Sequence, residues 1–149
     1  MKKKENDIYD ALKLDNQLCF PIYVCAKSIV NKYTPLLKKL DLTYTQYITM
    51  MVMWEEKKVS SGRLKERLFL DSGTLTPVIN RLVEKGYITK KRSDDDARDL
   101  LVEITAKGDA LKEEAVKVPY ELGSCIHGIE NPVELKEMIV KLMHVLTEE

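Results

Sequence analysis

The run from Leu68 to Ile88 constrains the fold more than any other part of the chain. Leu68-Phe69-Leu70 reads as the apolar end of a short helix that arrives at a turn. Asp71 or Ser72 then opens a second helix, because either side-chain oxygen can accept from the free N–H groups of a first turn. Leu75, Ile79 and Leu82 recur at helical spacing, and Gly86 closes the helix. A β-rich segment follows at once. Helix, short turn, helix and hairpin is the layout of a winged helix-turn-helix. Its second helix presents Ser72, Thr74, Thr76, Asn80 and Arg81, small polar and basic groups suited to a DNA groove. The plainer alternative is an amphipathic helix with a solvated polar face.

The chain has 149 residues, so one domain is expected, and 44% hydrophobic residues are enough for a core. With 24 basic and 24 acidic residues the net charge is zero, which argues against nucleic-acid binding by bulk charge. Any DNA contact must use a local basic face, and Arg81, Lys85, Lys90, Lys91, Arg92 and Arg98 are clustered in sequence. No apolar run approaches the roughly 18–20 residues of a membrane span. The charged start of the chain is not followed by the apolar stretch of a signal peptide. A cytoplasmic protein is expected, with its three cysteines reduced at rest.

Residues 1–13 read as frayed or loosely helical. From Asp15 to Tyr33 apolar residues fall on more than one helical line, as in a helix shared between two subunits. Pro21 places the regular start, or a bend, near Cys19. Thr34-Pro35 is expected to interrupt, leaving Leu36, Leu37 and Leu40 as a short apolar piece. Thr43-Tyr44-Thr45-Gln46 has the capping-box pattern and starts a helix to about Glu56. Ser60 or Ser61 caps the first helix of the DNA-binding pair, with Leu64 and Leu68 inward. Tyr87–Lys91 and Leu100–Ile104 alternate as strands around a polar hairpin tip, the wing. Thr105 caps a long helix into the 110s, disturbed by Pro119 and Gly123. Asn131-Pro132-Val133-Glu134 starts a last helix with an apolar seam of Leu135, Met138, Ile139, Leu142 and Leu146. The expected fold is mainly α with a small β-hairpin wing, a winged helix-turn-helix over about 43–105. The helices at about 14–34 and 106–149 would form a dimer. The whole chain, 1–149, reads as one such domain.

A reactive thiol must be a thiolate, partly exposed, in a site that favours negative charge. A helix N-terminus and tyrosine hydroxyls could provide this for Cys19; burial as a small core residue is the alternative. Cys25 follows six residues later, about 9 Å along the helix, too far for a disulfide while the helix stands. Cys25 reads as a packing residue. No CxxC pair exists, and His127 and His144 are not spaced as a helical ligand pair, so no metal and no cofactor is implied.

Several runs resemble the MarR-type winged-helix repressors, and within them the organic hydroperoxide resistance regulators. They are Leu14-Asp15-Asn16-Gln17-Leu18-Cys19-Phe20, Tyr33-Thr34-Pro35-Leu36-Leu37, Leu42-Thr43-Tyr44-Thr45-Gln46-Tyr47, Leu70–Pro77 and the wing's Asp96-Ala97-Arg98. Thiol-based regulators of virulence and biofilm formation share these runs. The resemblance implies a homodimer on an inverted repeat of double-stranded DNA, with one recognition helix per subunit in the major groove. Asp71 would belong to that DNA-binding set, and Lys91, Arg92 and Arg98 to the wing, with Arg98 in the minor groove. It implies that Cys19 reacts with organic hydroperoxide, supported by Tyr33 and Tyr44 of the other subunit. Cys125 lies about one position after the family's resolving cysteine, and a low-molecular-weight thiol is the alternative resolver. The wing has Asp-Ala-Arg where Asp-Glu-Arg is commoner, which removes a carboxylate and keeps the arginine.

The implied protein is no enzyme and has no membrane partner. It is a repressor that leaves its operator when Cys19 is oxidised. A regulator of the same fold controlled by a reversibly bound aromatic ligand is the nearest rival. A thiol peroxidase leaves the helix-turn-helix residues unexplained, and a DNA-bending scaffold sits poorly with zero net charge.

Overall fold

In a computed structural model, which describes residues 8–92, 99–123 and 128–147, side-chain caps set most of the helix starts. Two short 3-10 turns, Ile8–Leu12 and Leu14–Asn16, lead into α1 (Cys19–Lys38). The long helix therefore begins at Cys19, as Pro21 requires when it occupies a first turn. Thr34-Pro35 does not interrupt it: α1 runs on to Lys38 with Pro35 inside. A mid-helix proline costs about 3 kcal/mol in general. Here the next turn buries Leu37 fully and Leu36 partly, and the packing keeps the helix going.

Thr43 closes the expected capping box. Its hydroxyl oxygen accepts from Gln46 N–H at 3.3 Å, and its own N–H donates to Gln46 Oε1 at 3.1 Å. This starts α2 (Tyr44–Glu56). β1 (Lys58–Ser60) follows, then α3 (Ser61–Leu68), capped by Ser60, whose oxygen accepts from Arg63 N–H at 3.1 Å. Asp71, and not Ser72, caps α4 (Ser72–Glu84). Gly86, at φ +73°, ends α4 in a Schellman arrangement. Tyr87 N–H donates to Leu82 C=O at 3.0 Å and Gly86 N–H to Val83 C=O at 2.8 Å.

β2 (Ile88–Arg92) and β3 (Leu100–Ile104) pair antiparallel, Ile88 opposite Ile104 and Arg92 opposite Leu100. β1 adds to the far edge of β3, Val59 opposite Val102, giving the order β1-β3-β2. β1 went unread in the sequence: with three residues it shows no alternation, and only its long-range partner makes it a strand. The core under this sheet is built from Leu37, Met50, Met53, Leu64, Leu75, Leu82, Ile88 and Val102, all essentially inaccessible. Each helix of the DNA-binding pair thus contributes its inward stripe, and Leu68 packs against the edge.

Thr105 caps α5 (Ala106–Ala110) by accepting from Gly108 N–H at 3.0 Å. The expected long helix continues as three pieces: α5, α6 (Lys112–Ala115) and α7 (Lys117–Gly123). Leu111 and Val116 between them keep right-handed dihedrals with shallow ψ of −21° and −24°. The path is helical with tightened 3-10-like joints at those positions.

The chain forms two compact units that divide between Val118 and Pro119. The second carries α8 (Pro132–Thr147), which Asn131 opens by accepting from Glu134 N–H at 3.3 Å. α8 has no buried residue: Leu135, Ile139 and Leu146 are exposed, and Leu142 is half-covered. The first half of α1 is similar, with Phe20, Ile22, Val24 and Ile29 each about 40% exposed. Two apolar helical faces thus stand uncovered in the single chain.

Candidate nucleic-acid interface and thiol site

α4 is anchored at its start by one carboxylate. Asp71 Oδ1 accepts from Thr74 N–H at 2.8 Å and Oδ2 from the Thr74 hydroxyl at 3.0 Å. These bonds, the backbone one first, hold the Asp71 carboxyl below the usual carboxylate range. Leu75, Ile79 and Leu82 face the core, and Ser72, Thr74, Thr76 and Arg81 are exposed on the other side. Gly73 and Pro77 are exposed with them, so the outward face is lined by small residues. Such a face lets a helix backbone sit close to base edges.

The expected basic cluster divides. Arg81 is exposed and pairs with Glu84 at 2.8 Å. Asn80 is half-buried and accepts from the Lys90 ammonium, which ties α4 to β2. Lys91 and Arg92 are exposed at the end of β2. Arg98, the expected minor-groove residue, lies outside the described residues together with Asp96 and Ala97. Lys85 does not join this basic face. Its ammonium is directed to Asp41 and Gln46, in the turn before α2 and in α2's first turn.

The root of the hairpin is fastened at the N-terminus of α3. Asp99 Oδ1 accepts from the Ser61 hydroxyl at 2.5 Å, from Leu100 N–H at 2.9 Å and from Gly62 N–H at 3.2 Å. The Ser61 bond is the main reason the Asp99 carboxyl lies below the usual range. Sequence reading missed this clamp, because an acid in a charged wing looks like any solvated residue.

Cys19 is exposed at the first position of α1. Cys25, expected to pack, is also exposed in the single chain. Tyr33 and Tyr44 meet with ring centroids 5.0 Å apart, and Tyr47 continues the cluster at 5.8 Å from Tyr33. Burial, and then the nearby Tyr44, push the Tyr33 hydroxyl above its ordinary value, so it remains a proton donor. At 1.5 Å per residue, Cys19 and Tyr33 lie roughly 20 Å apart along α1. One chain therefore does not bring Cys19 to the expected tyrosines, Tyr33 and Tyr44. Cys125 lies outside the described residues. Among the described residues no cluster of His, Cys, Asp and Glu could hold a metal ion, and no helix is long and apolar enough to cross a membrane.

Residues 31–115 match the family model "Transcriptional regulator SarA/Rot". The chain is 40% identical to the organic hydroperoxide resistance transcriptional regulator of Bacillus subtilis, over 93% of this chain and 95% of that one. It is 39% identical to the HTH-type transcriptional regulator SarZ of Staphylococcus saprophyticus, over 93% and 92%. Among solved structures it is similar to reduced AbfR bound to DNA, at TM-score 0.79 and 29% identity, covering 92% of this chain and 94% of that one.

Proposed function

Since the chain belongs to the SarA/Rot family of MarR-like winged-helix DNA-binding transcriptional regulators, we propose that it is a repressor that senses organic hydroperoxides through Cys19. The observation that supports this best is the exposed thiol at the start of α1 combined with the half-buried Tyr33–Tyr44 pair near its other end. The two can meet only if a second copy of the chain supplies one of them. The exposed apolar faces of α1 and α8 are suited to such a copy, because faces this large are normally covered. The working unit is a homodimer on an inverted repeat, with one α4 in each major groove and each hairpin beside it.

The chemistry balances without a cofactor. The Cys19 thiolate attacks the outer peroxide oxygen, an S–O bond forms, the O–O bond breaks and the alcohol leaves after taking a proton. Sulfur is oxidised to the sulfenic acid. A second thiol then displaces water to give a disulfide. That thiol is Cys125 of the other subunit or a small cellular thiol. The tyrosine hydroxyls donate to the sulfur while it is anionic. Once it is a disulfide they lose that partner, the subunits shift, and the two recognition helices no longer match the half-site spacing.

The test compares the parent chain with Cys19→Ser on a DNA fragment that the reduced protein binds. Cumene hydroperoxide should release the parent, dithiothreitol should restore it, and intact mass should show the disulfide. Cys19→Ser should stay bound, and Tyr33→Phe with Tyr44→Phe should slow oxidation. Release of Cys19→Ser by hydroperoxide overturns the reading. A second reading has its own observation. An open cavity of about 470 Å³ has an apolar side formed by Val30, Leu42 and Tyr44 and a cation, Lys38, in a wall where Lys85 is already paired with Asp41. That is the shape and charge for an aromatic acid, and release by salicylate without peroxide would select it.

A further inference from the structure

Among the described members of the sequence's basic cluster, Lys85 is the one directed to the turn between α1 and α2. Its side chain is 23% exposed, so most of its stem is covered by protein, and its ammonium meets Asp41, whose side chain is 79% exposed. An ammonium has three hydrogens to donate. Lys85 Nζ donates to the Asp41 backbone carbonyl and to Gln46 Oε1 at 3.3 Å, and it forms an ion pair with the Asp41 carboxylate at 3.1 Å. These partners direct the ammonium to the turn before α2 and not to the outward face of α4.

Those acceptors belong to one small structure. Asp41 stands at φ 53° in the turn between α1 and α2. Gln46 Oε1 is the same oxygen that closes the capping box of α2 by accepting from Thr43 N–H. Tyr44 is the first residue of α2 and touches Tyr33. At the other end of the link, Lys85 is the C-terminal cap of α4. Its backbone carbonyl accepts from Lys107 Nζ at 2.7 Å, so the end of α4 is also held from α5.

We propose that Lys85 is a positioning residue for DNA recognition. It seats the C-terminal end of the recognition helix α4 on the α1–α2 turn without touching DNA itself. The turn that Lys85 grips is continuous with Tyr44. If the tyrosine pair responds to oxidation, the part of this inference that rests on the redox reading above, the grip transmits that change to α4.

The test uses the full chain with Lys85→Met, which keeps the length of the stem, and Asp41→Asn, which removes only the ion pair and suits a left-handed turn position. Operator affinity is measured over a range of salt concentrations. The expected result is that Lys85→Met weakens binding by roughly 2- to 30-fold with the salt slope unchanged, Asp41→Asn is intermediate, and Lys85→Arg stays near the parent. A slope that falls by about 0.9, the signature of a lost phosphate contact, overturns the proposal. So does unchanged affinity in Lys85→Met.

The same variants are then titrated after hydroperoxide. Lys85→Met should show a smaller ratio of reduced to oxidised affinity than the parent. An unchanged ratio, in a parent that does respond, removes the transmitting role. A parent that ignores hydroperoxide refutes the redox reading and with it that role, while the salt experiment still decides the positioning.

Discussion

Gly108 offers the sharpest test of how the DNA-binding unit is held together. A Cβ placed on it would lie 2.0 Å from the Tyr87 carbonyl oxygen, 2.8 Å from the Tyr87 carbonyl carbon and 3.1 Å from Ile104 Cγ1. Two of these are backbone atoms and cannot rotate away. In Gly108→Ala, α5 must retreat by about 1 Å or more, an over-packing strain of roughly 1–3 kcal/mol. The retreat also pulls on a bond at the same residue, since Trp54 Nε1–H donates to Gly108 C=O at 2.8 Å with both ends buried. Stretching that bond adds about 1 kcal/mol. A loss of roughly 2–4 kcal/mol is expected, or about 5–15 °C in Tm for a domain of this size. Trp54 is the only tryptophan in the chain, so its fluorescence reports on the joint during urea unfolding. Gly123→Ala is the control: nothing lies within 4 Å of the added carbon, and the exchange should be neutral or stabilising. A loss below about 0.5 kcal/mol in Gly108→Ala would refute the close approach of α5 to Tyr87.

Three further outcomes follow from the same geometry. Arg81→Ala should weaken operator binding, by roughly 1–3 kcal/mol if Arg81 reads a base, whereas Glu84→Gln should strengthen it by releasing Arg81 from its 2.8 Å pair; titrations in which neither variant departs from the parent would remove Arg81 from the interface. Leu142→Glu should turn a dimer into a monomer in sedimentation and lower operator affinity; a monomer that still binds a full palindrome tightly would contradict the role given to α8. Asp71 and Asp99 both have carboxyls held below the usual carboxylate range by the hydrogen bonds they accept, so their contribution to stability is complete above that range and is lost as pH falls through the depressed values. Unfolding monitored from about pH 5 down to about pH 3 should show this loss, less steep in Asp71→Asn and Asp99→Asn; a slope identical in all three proteins would mean that neither carboxylate is held.

The features that were legible in the sequence are those that neighbouring residues decide. A cap oxygen reaches N–H groups two or three residues on, and a helical stripe repeats every turn. Hence Thr43, Ser60, Asp71 and Thr105 mark helix starts, and Leu75, Ile79 and Leu82 give the inward face of α4. Pro35 shows the limit of such local rules: on propensity it should break α1, and burial of Leu37 beyond it outweighs the break. β1, the Asp99 clamp and the seat of Gly108 depend on partners far along the chain, and no local pattern announces them. The basic cluster shows why counting charge misleads. Arg81, Lys85 and Lys90 lie close in sequence, yet one pairs with Glu84, one grips the α1–α2 turn and one holds Asn80.

That division bears on how a chain of zero net charge would bind an operator in the proposed complex. On the outward face of α4 the charges of Arg81 and Glu84 offset each other, and the other exposed polar groups are the small hydroxyls of Ser72, Thr74 and Thr76, which would make the remaining contacts in the proposed complex. Such a helix adds little non-specific attraction, so its affinity depends strongly on how well its angle fits the groove. In the proposed complex the exposed positive charge beside α4 is that of Lys91 and Arg92 at the end of β2. A binder of this kind is easy to switch off. A rotation that misaligns two helices of low charge removes the base contacts, and little bulk electrostatic attraction remains to hold the protein on the DNA.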